Sequence, residues 1–324
     1  MRERLTTGAE PRFLGHPRSM TTTADSTERV ANAASRTADL GGPTHYVDFG
    51  GPADAPLLVL IHGLGGATWN WLALAPLLRD HVRVMAIDLA GHGLSPAAGR
   101  STKVGANRRL LDRFIREVAG EPVVLVGNSM GGMISILEAS SSPDQVRGTV
   151  LVNPALPRPL LSRGDARVAA QFAVMALPLL GEAAYVRRRA RFSAEHHIRQ
   201  TLRLCTVDHR RVPDEVIAAG VAVIEQRDAR RFPPSDVTAA GRSVVQRVSF
   251  AGRLRRSMAA ISSPVLLIHG AKDRLVPVAA AQQAARHFPS WRLAIADDVG
   301  HVPMMEAPEW TATQILDWLR DTEL

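Results

Sequence analysis

The stretch VVLVGNSMGGMISILEA, residues 123–139, decides the fold. A short β-branched apolar run, typical of a strand, leads into a segment of helical character, and Gly127-Asn128-Ser129-Met130-Gly131 between them fits G-x-S-x-G. A serine on such a sharp turn is held with its hydroxyl pointing outward, and the flanking glycines leave room for the turn and for a substrate. Ser129 is therefore a candidate nucleophile.

Strands alternate with helices on both sides of this stretch. The alternation predicts right-handed βαβ units and an α/β fold with a doubly wound, mainly parallel sheet. The predicted strands cover residues 45–51, 56–61, 82–87, 123–126, 148–152, 264–269 and 292–296, and the predicted helices 68–79, 107–119, 130–140 and 308–320. Residues 155–256 interrupt the pattern, because they contain no clear buried strand and are punctuated by prolines. We therefore predict one core domain, residues 41–154 and 257–324, with a helical insertion.

A nucleophilic serine needs a histidine to accept its proton and an acid to orient that histidine. In a doubly wound sheet, both should follow the carboxyl ends of later strands. Asp273 follows the predicted strand 264–269, and His301 follows the strand 292–296, which gives the chain order Ser129, Asp273, His301. Asp297 and Asp298 lie too near His301 in sequence for this geometry, and Asn153, after another strand, marks a weaker alternative position for the acid.

The oxyanion of a tetrahedral intermediate needs two backbone N–H donors. Met130 directly follows the candidate nucleophile at a helix N-terminus, and Leu64 lies in the glycine-rich turn His62-Gly63-Leu64-Gly65-Gly66. We predict that the N–H groups of Leu64 and Met130 form the oxyanion hole.

Five motifs in order give the chain a family resemblance: HGLGG (62–66), DLAGHGLS (88–95), GNSMGG (127–132), GAKDRLVP (270–277) and GHVPMMEAPE (300–309). The chain resembles the α/β-hydrolase-fold serine hydrolases from about residue 45 to residue 320. The resemblance implies hydrolysis through an acyl-enzyme with no metal or organic cofactor. It also implies that residues 155–256 are a helical cap over the active site, that His62 braces its loop, and that residues 88–95 shape the pocket rim.

Three activities remain open within this resemblance. The first, which we favour, is esterase- or lipase-like hydrolysis of a small, fairly apolar carboxylic ester. The second is carbon–carbon bond hydrolysis of ring-cleavage products, which GNSMGG also suggests, although those enzymes usually carry a tryptophan just after the histidine and this chain has Val302-Pro303-Met304. The third is non-catalytic binding of a small molecule. Epoxide hydrolysis and haloalkane dehalogenation are disfavoured because they require an aspartate at position 129.

Composition limits the other function classes. The single cysteine, Cys205, excludes an internal disulfide and a cysteine-based zinc site, and we expect a small buried side chain. The net charge is +8, and residues 155–256 alone carry 19 arginines against nine acidic residues. With no nucleic-acid motif beside it, this surplus favours solvated helix faces over nucleic-acid binding. Residues 187–191 and 253–256 are its densest parts, and an anionic substrate is a weaker alternative for them.

The first forty residues are rich in Ser, Thr, Ala and Arg and predict a disordered tail. No apolar h-region and no run of about 20 apolar residues occur, so we expect a cytoplasmic protein without a transmembrane segment. Met20 offers a second candidate translation start. The apolar segment 169–180 either lines the underside of the cap or packs it on the core, and the oligomeric state is open.

Overall fold

An eight-stranded sheet forms the centre of the computed structural model, which describes residues 33–157, 177 and 180–324. The strands lie in the order β1-β2-β4-β3-β5-β6-β7-β8. The pairs β1·β2 and β2·β4 are antiparallel, and all the others are parallel. The strands are β1 Ala34–Asp39, β2 Pro43–Gly50, β3 Leu57–Ile61, β4 Arg83–Ile87, β5 Val123–Asn128, β6 Val146–Val152, β7 Val265–Gly270 and β8 Arg292–Ala296. The predicted α/β fold with a mainly parallel sheet is confirmed.

Helices follow most of the parallel strands. In the described residues they are α1 Ala75–Leu78, α2 Val104–Phe114, α3 Met130–Ser141, α4 Leu180–Arg191, α5 Ala194–Cys205, α6 Asp214–Ala229, α7 Ser235–Ser249, α8 Ala251–Ala259, α9 Val278–His287, α10 Pro303–Glu306 and α11 Pro308–Asp321. Single 3-10 turns occur at Thr68–Trp71, Pro143–Gln145 and His209–Arg211, and a π-helical turn at Ile115–Ala119 extends α2.

The central strands are apolar on both faces, as strands covered by helices on both sides must be. All five residues of β3 are buried. Leu57, Val59 and Ile61 face one hydrophobic cluster, and Leu58 and Leu60 face the other. The continuous apolar run at residues 56–61 was the sequence signal for this burial.

The insertion adds helices to both clusters and contributes no strand within residues 180–259. Ile198 and Ile217 join the cluster that contains Trp71, whereas Val244 and Leu254 join the cluster that contains α3. Helix α8 continues to Ala259, three residues past the predicted boundary at 256, because Leu254 and Met258 are buried on one face of it. Most of the apolar segment 169–180 lies outside the described residues.

Two predictions about local structure were wrong. Residues 34–39, assigned to the disordered tail, form β1, whose pairing depends on backbone bonds rather than on apolar side chains. Gly41 and Gly42 have positive φ and close the β1–β2 hairpin, and this Gly-Gly pair was the signal for it. Residues 1–32 of the predicted tail lie outside the described residues. The helix predicted at 68–79 is broken into a 3-10 turn and α1, which has Pro76 in its first turn.

Candidate active site

Ser129 occupies a strained turn between β5 and α3. Its backbone has φ +53° and ψ −112°, in a region that residues with a side chain rarely adopt. Three bonds hold it there: its N–H donates to the Val152 carbonyl (3.1 Å), and its carbonyl accepts from Ala155 (2.9 Å) and Met133 (3.1 Å). The strain is thus maintained by the neighbouring strand and by the helix, and Ser129 remains half-buried.

Close approaches of the backbone require glycine in the motifs GNSMGG (127–132) and HGLGG (62–66). A Cβ on Gly131 would lie 2.1 Å from the carbonyl oxygen of Ile61, because α3 begins directly against the end of β3. A Cβ on Gly63 would lie 3.2 Å from the Ser129 Cβ. The glycine turn 62–66 therefore lies against the serine, and a larger residue at either position would separate them.

This packing brings the turn that carries Leu64 next to Ser129. Among the described residues, neither the Leu64 N–H nor the Met130 N–H donates to an acceptor. Met130 is the first residue of α3, where the helix dipole adds partial positive charge. Both groups are thus available to an oxygen that carries negative charge.

Asp273 and His301 form a buried hydrogen-bonded pair. Asp273 Oδ2 lies 2.7 Å from His301 Nδ1, and its Oδ1 accepts the N–H groups of Leu275 (2.7 Å) and Val276 (3.0 Å). Burial alone would raise the pKa of Asp273, but the charge and hydrogen bond of His301, with smaller contributions from other neighbours, lower it below its ordinary value. The carboxylate is therefore ionised and fixes the ring of His301.

Asn153 supports this pair rather than replacing the acid. Its Nδ2 donates to Asp273 Oδ2 (2.7 Å) and to the Gly300 carbonyl (3.2 Å), while its Oδ1 accepts from Gly270 N (3.3 Å). It also has positive φ, +44°. Asn153 connects the ends of β6, β7 and β8, and its place after a strand end was the only sequence signal for this role.

Sequence reasoning missed two further contacts to the His301 loop. Asn128 Nδ2 donates to the His301 carbonyl (3.1 Å), which ties the loop to the residue before Ser129. Glu306 is buried, and its carboxylate accepts Gly300 N (2.8 Å), Val207 N (2.7 Å) and Asp208 N (3.0 Å). Glu306 was visible only as part of the motif 300–309, and its partners in the insertion lie about 100 residues away in sequence.

Other candidate acids and the free cysteine lie outside this pair. Asp297 and Asp298 are exposed, and Asp298 forms an ion pair with Arg211 (2.5 Å). Cys205 is buried, as predicted, and burial raises the pKa of its thiol to about 12. Its carbonyl accepts the His301 N–H, so that the end of α5 lies directly against the histidine loop.

The motif 88–95 is built around a buried carboxylate. Asp88 accepts from Thr68 N (2.7 Å) and Leu94 N (2.8 Å) and lies 2.7 Å from His45 Nδ1. His62 Nε2 accepts from Leu89 N (3.1 Å), so this histidine braces the loop. Burial and the neighbouring His62 lower the pKa of His92 to about 3. His62 and His92 therefore hold the loop in place as neutral side chains.

A cavity of about 370 Å³ lies between the core and the insertion. It starts at Gly65 and Gly66, directly after Leu64, and Trp69 extends its core side. The insertion contributes apolar side chains that include Ile198, Ile224 and Val237. The Arg189–Asp228 ion pair also borders it. The cavity therefore adjoins the glycine turn that carries Leu64 and has mixed apolar and polar walls.

The described residues contain neither a grouping of metal ligands nor a membrane-spanning helix. No group of three or more His, Cys, Asp or Glu side chains there is arranged to hold a metal ion. Every helix in this part of the chain is too short or too polar to cross a membrane.

Comparison with known proteins identifies the family. The family model for the alpha/beta hydrolase fold matches residues 56–308. The chain is 31% identical to the pimeloyl-[acyl-carrier protein] methyl ester esterase of Aromatoleum aromaticum, over 82% of this chain and 98% of that one. It is 25% identical to human monoacylglycerol lipase ABHD6, over 83% and 77%.

Solved structures agree on the fold. The protein lip1 of Acinetobacter baumannii AYE, provisionally named a lipase, superposes with a TM-score of 0.72 at 21% identity, over 98% of this chain and 99% of that one. The similarity to esterases and lipases supports a hydrolase. On its motifs, its sheet and the matched family model, the chain belongs to the alpha/beta hydrolase fold family.

Proposed function

We propose that this chain is a serine hydrolase that cleaves a carboxylic ester with a fairly apolar acyl group through an acyl-enzyme. The observation that carries the proposal is the 2.7 Å hydrogen bond of the buried Asp273–His301 pair, beside a serine with φ +53°. A structural role alone accounts poorly for a strained serine whose neighbour Asn128 is bonded to the loop of an oriented histidine, and for two nearby N–H groups without protein acceptors.

The reaction follows from these groups. The Asp273 carboxylate accepts the Nδ1 proton of His301, so Nε2 carries the lone pair that takes the Ser129 hydroxyl proton. Ser129 Oγ then bonds to the ester carbonyl carbon, and the N–H groups of Leu64 and Met130 stabilise the oxyanion. His301 returns the proton to the departing alcohol, and the acyl group remains on Ser129.

Water completes the cycle by the same steps. His301 takes a proton from the water as its oxygen adds to the acyl carbonyl. The proton then passes to Ser129 Oγ as the carboxylic acid leaves. Every step uses side-chain or backbone groups of this chain, so the proposed reaction requires no cofactor.

The cavity supports an apolar acyl group. Its volume of about 370 Å³ is within the range of small-molecule sites, and the insertion supplies its aliphatic walls. Both similar proteins named above act on esters of acyl chains, as their names state. We extend that substrate class to this chain.

The test compares Ser129→Ala with Ser140→Ala, a control substitution in α3, the helix that follows Ser129. Ser129→Ala should abolish p-nitrophenyl butyrate hydrolysis and labelling by a fluorophosphonate probe, while Ser140→Ala retains both. Circular dichroism should show both variants folded. Wild-type activity in Ser129→Ala would overturn the mechanism.

Two other outcomes would reject the ester assignment. A folded wild-type protein that neither labels nor hydrolyses any member of an ester chain-length panel would indicate a binding protein. Ser129-dependent decay of a coloured dienoic ring-cleavage product, with no ester turnover, would indicate carbon–carbon bond hydrolysis.

A further inference from the structure

Among the described side chains of helix α4, those on the outward surface are all apolar or cationic. The exposed ones are Ala183, Ala184, Val186, Arg187, Arg188, Ala190 and Arg191. Phe192 follows and is also exposed. We call Val186, Arg187, Arg188, Arg191 and Phe192 the outer α4 face. An ordinary solvated helix face carries acidic residues among its basic ones, and this face carries none.

The charges of this face are not neutralised locally. No carboxylate in the described part of the chain pairs with Arg187, Arg188 or Arg191, whereas Arg189 on the inner side pairs with Asp228. Glu182, the one acidic residue of α4, is half-buried and pairs with Arg242 at 3.0 Å. The face therefore presents three adjacent positive charges to solvent.

Exposed apolar groups lie among these charges. Val186 is 48% exposed and Phe192 is 40% exposed. The Phe192 ring stacks on His196 with a 4.3 Å centroid distance, and the Arg191 guanidinium lies 5.5 Å from its centroid. Phe192 is thus held at the surface by these contacts, while part of its ring stays in solvent.

We propose that the outer α4 face is a docking surface for a membrane rich in anionic lipid. Arginines attract the anionic headgroups, while Val186 and Phe192 enter the boundary between headgroups and acyl chains, as in interfacial helices. A nucleic acid would use the charges but would leave an aliphatic side chain such as Val186 without a partner. Lipid is therefore the partner that accounts for both kinds of residue.

The position of the face supports the same partner. Val186 lines the cavity beside the candidate active site and is also exposed to solvent, so the cavity opens next to this face. A lipid layer bound here would lie at the cavity entrance. The docking itself does not depend on catalysis and can be measured without it.

The experiment measures co-sedimentation of full-length Ser129→Ala protein with vesicles, so that no lipid is cleaved. Vesicles contain either phosphatidylcholine alone or a mixture with phosphatidylglycerol, at low and high salt. We expect binding only to the mixed vesicles, weakened by salt. Arg187→Gln/Arg188→Gln/Arg191→Gln should reduce the partition coefficient on the order of 100-fold, at about 1 kcal/mol for each charge.

A matched triple separates this face from net charge. Arg113→Gln/Arg116→Gln/Arg320→Gln removes the same charge from exposed arginines that each pair with a carboxylate, Arg113 with Glu117, Arg116 with Asp112 and Arg320 with Asp317. This control triple should bind vesicles within about twofold of the Ser129→Ala protein, because surface substitutions away from a site usually change a free energy by no more than ~0.5 kcal/mol. Phe192→Ala should weaken binding several-fold.

Three results would overturn the proposal. These are absence of binding to the anionic vesicles, equal losses for the two arginine triples, and retention on duplex DNA without any vesicle binding. When Ser129 is retained, the triple substitution Arg187→Gln/Arg188→Gln/Arg191→Gln should leave hydrolysis of soluble p-nitrophenyl butyrate at the wild-type level. A failure of docking is therefore distinguishable from a failure of the proposed chemistry.

Discussion

The substitution Glu306→Gln tests whether the insertion helps to position His301. The Glu306 side chain is buried and joins two segments that are distant in sequence. One carboxylate oxygen accepts Val207 N and Asp208 N, at the end of α5, and the other accepts Gly300 N, next to His301. An amide of almost the same shape replaces this carboxylate in the variant.

The hydrogen bonds set the size of the effect. Glutamine has one side-chain oxygen where glutamate has two, so its NH₂ group takes the place of the other oxygen. That NH₂ group must then face a backbone N–H, which cannot bond to it. If the oxygen stays with Val207 and Asp208, the amide N–H₂ faces Gly300 N, which is 2.8 Å from the present oxygen. Loss of one hydrogen bond to a charged group costs about 1.5–3 kcal/mol. With about 2.1 cal/mol/K of unfolding entropy per residue, we expect Tm to fall by roughly 2–5 °C in a chain of this size.

The displaced donor adjoins the histidine, so the chemical step should suffer as well. A shift of about 1 Å in a reacting group can cost on the order of 100-fold in rate. We expect kcat for p-nitrophenyl butyrate to fall about 10- to 100-fold. KM should change little, because Glu306 does not line the cavity.

The assay is steady-state kinetics with thermal unfolding of the same preparations. Glu309→Gln is the control, because Glu309 is exposed and makes no side-chain contact with the His301 loop. It should match the wild type in kcat and Tm. If Glu306→Gln lowers Tm but leaves kcat unchanged, Glu306 stabilises the fold without positioning His301, and the reasoning fails.

Three further predictions concern single side chains. Asp273→Asn should lower kcat by about 10³- to 10⁴-fold at nearly constant KM in ester kinetics, because an amide favours the wrong tautomer of His301, and wild-type kcat would refute the pair's role. Burial raises the pKa of Glu138 to about 7 in the folded protein, from 4.5 in the unfolded chain. As pH rises from 4.5 toward 7, the unfolded chain loses this proton more readily than the folded protein, so the free energy of unfolding falls. Denaturant titrations should show Glu138→Gln gaining up to about 3 kcal/mol over wild type at neutral pH relative to acid pH, and a pH-independent difference would contradict this. Gly131→Ala should prevent normal folding, because its Cβ would lie 2.1 Å from the Ile61 carbonyl oxygen at the end of β3. In the control Gly252→Ala the new Cβ has no other atom within 4 Å, and thermal unfolding should show α8 stabilised by about 1 kcal/mol.

The core of the fold was predictable because its signals are local. The buried strand at residues 57–61 appears as a continuous apolar run, and the glycines around Ser129 record close backbone approaches. The carboxyl ends of parallel strands share one edge of the sheet, so the sequence alone predicts that residues after successive strands lie together. The Asp273–His301 contact follows from that rule.

The supporting residues were not predictable, since their partners are distant in sequence. Asn153 bonds to Asp273, 120 residues later, and Glu306 bonds to Val207, 99 residues earlier. Strand β1 carried no apolar alternation, because an exposed edge strand can be held by backbone pairing alone. The cavity walls depend on how α4 to α7 pack, which periodicity within each helix does not determine.

Hydrogen bonds to backbone atoms help to fix the insertion to the core. Arg227 donates to the carbonyls of Gly93 (2.7 Å) and Gly91 (2.8 Å), and Glu306 accepts the N–H groups at the end of α5. Most of these bonds end on backbone atoms, so they constrain few side chains of the insertion. Ile224 and Val237, which face the cavity, can therefore change without moving the Asp273–His301 pair. This separation explains why the motifs predict the reaction class, whereas the residues that would select a substrate lie in the insertion, where the sequence carries no motif.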